Sequence, residues 1–371
     1  MKQIKKIQKP KIRLSKPLPW YKTKKASRPI IGLAPMAGVS DEPFRIMVAK
    51  YGEPDFVFTE FIWPEALLSM SEEALKNIVY SESERPIIVQ IVGSDPGLFY
   101  KITPILCELG FDGIDINMGC PDKHILARGG GAALIKTPLL AKQLVEVVRQ
   151  SVYDWAEGKP LQSYGYTTKE INFWKTYKKK LHLKQSVSRR LIPVSLKTRI
   201  GYTAIDLKWL KFVINKIKPE VVSLHVRTFK ENRRGEGHWE IMEKMAPLAK
   251  KNKVVLLGNG GITSYDEAIA KIKKYQLGGI MVAQGALGNP WLFKNSHPTS
   301  VNKLKIALEQ AKIYKKMYGE KKFFTLRKHL LWYTNGLSNS KELRRQLGQV
   351  NTYKECQTII NQYLNKAKNV K

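Results

Sequence analysis

From residue 30 to residue 298, short apolar β-branched runs alternate with longer stretches whose apolar residues recur at helical spacing. The runs are Ile30–Pro35, Phe56–Phe61, Pro86–Val92, Gly113–Asn117, Pro193–Thr198, Val221–Val226, Val254–Gly258 and Gly278–Ala283. Nearly continuous apolar strands imply a parallel sheet covered on both faces, and strand–helix alternation implies βαβ units. Eight such units in roughly 250 residues fit a closed (β/α)8 TIM barrel better than an open doubly wound sheet. Leu139–Val148 typifies the covering helices, with Leu139, Leu140, Leu144, Val147 and Val148 as its predicted buried face.

Two regions break the rhythm. Residues 151–192 are basic and aromatic (Trp155, Tyr164, Tyr166, Phe173, Trp174, Tyr177, then Lys178-Lys179-Lys180). They are expected to form an insertion between the fourth and fifth units that packs locally. After Pro298 the strand signals stop and helical spacing takes over. The expected organisation is a basic arm over 1–28, a barrel over 29–298 and a C-terminal helical domain over 299–371.

In such a barrel the chemistry sits at the C-terminal ends of the strands. The runs here end in residues a core would not choose: Met36, Glu60, Gln90, Asn117 with Cys120, Lys197 with Arg199, His225 with Arg227, Asn259 and Gln284. Cys120 stands out, because the apolar strand before it runs into Asn117-Met118-Gly119-Cys120-Pro121. Pro121 biases Cys120 toward an extended backbone, and Gly119 frees the turn before it. A thiol displayed there is a candidate for chemistry, although most free cysteines are inert and buried. Lys197 inside a strand is costly unless it faces an anion, and His225 holds the matching place on the next strand. Gly258-Asn259-Gly260-Gly261 and Gln284-Gly285 follow the seventh and eighth strands, where bare backbone N–H groups grip phosphate in these barrels. Leu33-Ala34-Pro35-Met36-Ala37-Gly38 closes the first strand with small residues that admit a flat ring or form a tight turn.

Charge narrows the partners. Lys+Arg number 64 against 31 Asp+Glu, a net +33, and such a field attracts polyanions. Residues 1–28 carry eleven basic side chains and no acid, and residues 300–371 carry sixteen basic and four acidic. Nucleic acid is the favoured partner, ahead of an anionic membrane surface or a compositional drift toward lysine. Cys107, Cys120 and Cys356 make no CxxC pair, which suits a reducing, cytoplasmic setting. No apolar run reaches membrane-spanning length. The six histidines are scattered without metal-ligand spacing, so no metal is expected. Walker, Rossmann and serine-elbow motifs are absent.

With these residues assembled, the chain resembles the tRNA-dihydrouridine synthase family over about residues 30–294. The likeness rests on LAPMAGVSDEPFR (33–45), VQIVGSDP (89–96), FDGIDINMGCP (111–121), SLKTRIG (195–201), SLHVRT (223–228), GNGGI (258–262) and GALGNPWLF (285–293). It implies an FMN enzyme that uses NADPH to reduce the C5=C6 bond of particular uridines in tRNA. Pro35, Met36 and Ala37 would line the flavin ring, Gln90 and Lys197 would bond its polar edge, and His225 would lie near it. Asn259, Gly260 and Gly261, with Gln284 and Gly285, would hold its phosphate. Asn117 and Arg199 would address the uracil, and Cys120 would be the general acid. Such an acid has to be un-ionised, so apolar surroundings are expected for it.

Three features depart from the family pattern. Gln284 stands where arginine is usual, Gly261 replaces an aspartate, and neither the 1–28 arm nor the 151–192 insertion has a recognised counterpart. At least one of these two segments is expected to touch tRNA. No stable protein partner is expected. Two other readings remain open: a flavin barrel acting on a free pyrimidine or dihydroorotate-like substrate, and an idle RNA-binding relic, against which intact Cys120, Lys197 and His225 argue.

Overall fold

The computed structural model describes Tyr21 and residues 29–184, 187–232 and 234–369, with side chains to residue 366. Apart from Tyr21, the predicted basic arm lies outside the described residues. Eight parallel strands close on themselves in sequence order. They are β1 (Ile30–Leu33), β2 (Val57–Ile62), β3 (Ile87–Ile91), β4 (Gly113–Met118), β5 (Val194–Arg199), β6 (Val221–His225), β7 (Val255–Asn259) and β8 (Gly279–Val282). Each predicted run contains or overlaps one strand.

Side chains alternate between the two faces of each strand, and the sequence exploits both. Outward positions such as Val89, Ile114, Ile116, Leu196 and Leu224 join the large core between strands and helices. Inward positions near the strand starts (Ile30, Phe56, Phe58, Ile88, Val221, Leu257 and Met281) fill the lower barrel, and Tyr21 packs against them. Inward positions near the strand ends are polar.

The helix Pro138–Ala156 covers the barrel between β4 and β5. Its buried face is Ala141, Leu144, Val145, Val148, Val152 and Trp155, while Leu139 in the first turn is 77% exposed. That helix runs beyond the predicted start of the insertion. The helix Thr168–Lys180 follows, opened by a reciprocal cap between Thr167 and Glu170. Tyr164, Tyr166, Trp174 and Tyr177 are buried against the helix Pro96–Glu108 and its neighbours. The Tyr166 hydroxyl donates to Lys101 O at 2.8 Å, and Tyr164 donates to Ser151 O at 3.2 Å. Because this segment joins the end of a covering helix to the start of β5, it sits at the end of the barrel opposite the mouth.

Beyond the barrel lie Ser300–Tyr318, Arg327–Tyr333, Lys341–Leu347 and Tyr353–Asn369, all helical. They enclose a second core of Leu304, Ala311, Phe323, Leu330, Leu347 and Ile360, into which Met47 and Trp291 project from the barrel side. No helix among the described residues is long and apolar enough to cross a membrane.

Candidate active site at the barrel mouth

Strand register gathers the polar strand ends into two neighbouring rows. Asn117 pairs with Lys197 and Lys197 with Ser223. One step higher, Arg199 pairs with His225, His225 with Asn259 and Asn259 with Met281. Gln90 stands beside Asp115, which stands beside Ser195.

These side chains form one connected network. Ser195 Oγ donates to Asp115 Oδ1 at 2.6 Å, and Gln90 Nε2 donates to Asp115 Oδ2 at 2.8 Å. Asn117 Nδ2 then donates to Gln90 Oε1 at 2.9 Å. The Asn117 Oδ1 atom in turn accepts from the backbone N–H groups of Gly119 at 3.1 Å and Cys120 at 2.9 Å. A buried carboxylate therefore fixes the Gln90 amide, that amide fixes Asn117, and Asn117 fixes the backbone carrying the thiol. The Cys120 carbonyl accepts from Ala132 N at 3.1 Å. Gly131 has φ +58, and a Cβ there would stand 2.8 Å from Cys120 O, so only glycine lets this loop close over the cysteine.

Arg199 clamps the same loop from β5. Its Nε donates to Gly119 O at 2.8 Å, and Nη1 donates to Thr228 O at 3.0 Å and Asn232 O at 2.9 Å. Much of its donor capacity is thus spent on backbone. Burial raises the Cys120 pKa, Asp122 contributing both a lowering hydrogen bond and a raising charge, while Arg199 and Lys197 oppose the rise. Removal from water brings Lys197 down to about 8, with Arg199 repelling it and Asp115 and Cys120 supporting its charge. Burial pushes Asp115 up to about 6 against its hydrogen bonds from Ser195 and Gln90. At neutral pH the mouth thus holds a protonated thiol, a protonated lysine and an ionised aspartate.

The loops after β7 and β8 adjoin this cluster. At Gly260, φ +133, an added Cβ would stand 3.0 Å from both His225 Cδ2 and Val226 Cγ2, so the bare backbone lies against the histidine ring. At Gly285 a Cβ would stand 2.4 Å from Ile262 O, which brings the two Gly-rich turns into contact. Asn259 Nδ2 donates to Met281 O at 2.9 Å and so ties β7 to β8. Gln284 opens the short turn Gln284–Ala286. At the end of β1, the neighbour of β8, Pro35 and Met36 are half-buried and Ala37 is exposed. Ser40 Oγ bonds both Met36 N at 2.9 Å and Met36 O at 3.1 Å. Lys328, from the helical region, donates to Gly38 O.

Ser223 Oγ is buried with no hydrogen-bond partner among the described residues, directly beside Lys197 in the ladder. A buried hydroxyl left unmet is unusual. Together with the Gly260 cradle, it suits a polar, phosphate-bearing ring. Sequence reasoning missed Asp115, Ser195 and Ser223 as parts of the site, and it gave Arg227 no role. Arg227 Nη2 lies 3.7 Å from where a Gly261 Cβ would be, a cation beside the turn where Gln284 lacks one. The period-two polar positions 115/117, 195/197/199 and 223/225, inside strands otherwise apolar, were the available signal.

A family model described as dihydrouridine synthase matches residues 32–158 and 177–369, passing over the heart of the insertion. A probable tRNA-dihydrouridine synthase of Staphylococcus aureus is 28% identical over 346 residues, covering 91% of this chain and 93% of the relative. Probable tRNA-dihydrouridine synthase 2 of Bacillus subtilis is also 28% identical, covering 91% and 94%. Among solved structures, histamine dehydrogenase from Rhizobium aligns at TM-score 0.46 and 12% identity, covering 75% of this chain and 46% of that one.

Proposed function

Since the chain belongs to the dihydrouridine synthase family, we propose that it reduces the C5=C6 bond of particular uridines in tRNA. The observation carrying this reading is Cys120, held at the barrel rim by Asn117 and Arg199 and kept protonated by burial. FMN would rest on Pro35, Met36 and Ala37, with Gln90, Lys197 and His225 at its ring and Asn259, Gly260, Gly261, Gln284 and Gly285 at its phosphate. Bound there, with NADPH as reductant, FMN would supply the hydride chemistry at C6 of the uracil.

The chain's own residues do the rest. Cys120 gives its proton to C5, and its raised pKa keeps that proton available at neutral pH. Lys197 offsets negative charge deep in the mouth, where a neutral side chain would leave that charge uncompensated. Asn117, whose second amide N–H is not taken by Gln90, would address the uracil. Arg199 serves first as the clamp on Gly119, so its part in binding the base is indirect. Arg227 would supply the phosphate charge that Gln284 does not.

The target base must leave its stack to reach such a mouth. The basic residues of 299–371 would hold the surrounding tRNA, which favours a cytoplasmic enzyme acting on tRNA over one acting on a free pyrimidine. The test is dihydrouridine counted by mass spectrometry in unmodified tRNA incubated with enzyme, FMN and NADPH. Wild type should form it and Cys120→Ala should not. Equal product from both would remove the thiol from the mechanism.

A further inference from the structure

The turn that follows β1 is held by charged side chains. Gly38 has φ +69, and its carbonyl accepts from the Lys328 ammonium. Glu60, 8% exposed near the end of β2, faces the backbone N–H groups of Gly38 and Val39. Burial raises the Glu60 pKa, while the Gly38 N–H, the charges of Arg45 and Lys328, and the Val39 N–H oppose the rise. Arg45, fully buried with Glu84 at 2.6 Å, donates from Nη1 to Ser40 O at 2.7 Å. The bonds between Ser40 and Met36 already close the turn. Hydrogen bonds to charged groups are stronger than neutral ones, so this backbone is gripped more firmly than turn formation requires.

Glu60 and Arg45 belong to the barrel, but Lys328 does not. It lies in the first turn of the helix Arg327–Tyr333, in the helical region. His329 beside it is 1% exposed and packs on Phe44, with ring centroids 5.3 Å apart. Phe44 opens the helix Glu42–Gly52, which starts directly after the turn. The backbone that carries Lys328 is therefore seated on the barrel, and its ammonium ends on the main chain of the turn. An unconstrained lysine would keep its rotamer freedom in water.

We propose that Lys328 is a positioning residue: through Gly38 it ties the helical region to the turn 35–40, and so holds Pro35, Met36 and Ala37 where the flavin ring rests. The proposal rests on the flavin reading above and deepens it. The helical region then completes the barrel mouth as well as holding tRNA. A ring displaced by a fraction of an ångström from its reaction partner loses rate steeply.

The test uses the full chain. Lys328→Met keeps the stem and removes the donor, so amide exchange across 36–40 should quicken. FMN release from the loaded enzyme, followed on dilution by the fluorescence of freed flavin, should show a dissociation constant raised about threefold to tenfold. The kcat should fall about tenfold, with KM for tRNA within about twofold of wild type. Lys328→Arg should restore all of these, because a guanidinium still donates to the carbonyl. Glu309→Gln breaks the 2.6 Å pair with Lys50, another link between the helical region and the same barrel helix. It should leave FMN release and exchange at 36–40 as in wild type.

Unchanged exchange and FMN release in Lys328→Met overturn the proposal. Equal changes in Glu309→Gln also overturn it, by showing a general loosening of the junction. So does a raised KM for tRNA with a shallower salt dependence and normal FMN release, which would make Lys328 a phosphate contact. If wild type retains no FMN, the underlying reading fails, and exchange at 36–40 still decides whether Lys328 holds the turn. Should Lys328→Met melt early, Lys328→Gln, which stays polar but falls short of Gly38, is read by the same measures.

Discussion

The two ends of the barrel interior are made by inward-facing positions of one closed set of strands, with β3, β6 and β7 contributing to both, yet they differ in almost every respect. The lower end is Ile30, Phe56, Phe58, Ile88, Val221, Leu257 and Met281. The upper end is Gln90, Asp115, Asn117, Lys197, Ser223, His225 and Asn259, most of them as deeply buried. Strand alternation decides only which way a side chain points; position along the strand decides what it is for. Apolar groups at the lower end gain stability from leaving water. Polar groups at the upper end lose by it and stay because partners or substrate meet them. Along β3, β6 and β7, stability and chemistry are thereby separated by a few residues of one strand.

The sharpest way to break this division is to damage each end in turn. Cys120→Ala should lower kcat/KM for dihydrouridine formation on the order of 100- to 10,000-fold, the usual worth of a positioned general acid. Urea unfolding of that variant should differ from wild type by less than about 1 kcal/mol, since the thiol is half-buried and forms no disulfide. Phe58→Ala should do the reverse. It removes a fully buried ring and should cost about 3–5 kcal/mol of stability, while the protein that remains folded keeps its turnover. If Cys120→Ala unfolds as easily as Phe58→Ala, the two ends are not separate.

How far this division could be read from sequence depends on which signal each residue carried. All eight strands were legible, because apolar β-branched runs of strand length recurred between helical stretches. Cys120, Lys197 and His225 were legible as anomalies at strand ends. Asp115 was not, although it lies two residues before Asn117 and ties Gln90 to Ser195. A buried carboxylate is recognisable only by its partners, and those partners come from β3 and β5. Arg199 was legible as present but not as engaged, since its acceptors lie in the loops at 119, 228 and 232. The exposure of Leu139 escaped for a similar reason. Helical spacing places it near the buried face, but it lies in the first turn, whose buried residues begin only at Ala141.

A smaller effect sharpens the comparison by setting stability against activity at one residue. Lys197 has a pKa lowered to about 8 by burial. A base depressed in the folded state contributes stability above its unfolded pKa of about 10.4 and loses it as pH falls through the folded value. At pH 7 it is charged and therefore costs stability. Lys197→Met should raise stability at pH 7 by about 1–3 kcal/mol, discounted for the part of the side chain open to the mouth, and should sharply reduce turnover. In wild type, single-turnover reduction of tRNA should decline as pH rises through about 8, where Lys197 loses its charge. Lys197→Arg should move that decline upward, because a guanidinium does not titrate there. A decline at the same pH in both would assign it to another group.

The smallest effect belongs to Asp115→Asn. The amide can replace the carboxylate atom for atom: its oxygen accepts from Gln90, and its NH2 donates to the Ser195 hydroxyl, which can also accept. The network that holds Asn117 and Cys120 should therefore survive, and turnover at pH 7 should change only a few-fold. What disappears is a negative charge that helps Lys197 stay protonated. The basic decline in activity should move below its wild-type position by less than about one pH unit. Stability should respond with the opposite sign from a salt-bridged acid. The folded pKa of about 6 lies above the ordinary carboxylate value, so Asp115 favours folding at low pH and loses that contribution as pH rises through about 6. In the variant, the fall in stability between about pH 4 and 6 should be shallower. An unmoved basic decline would show that Lys197 does not depend on Asp115, and that the upper end of the barrel is a set of independent groups.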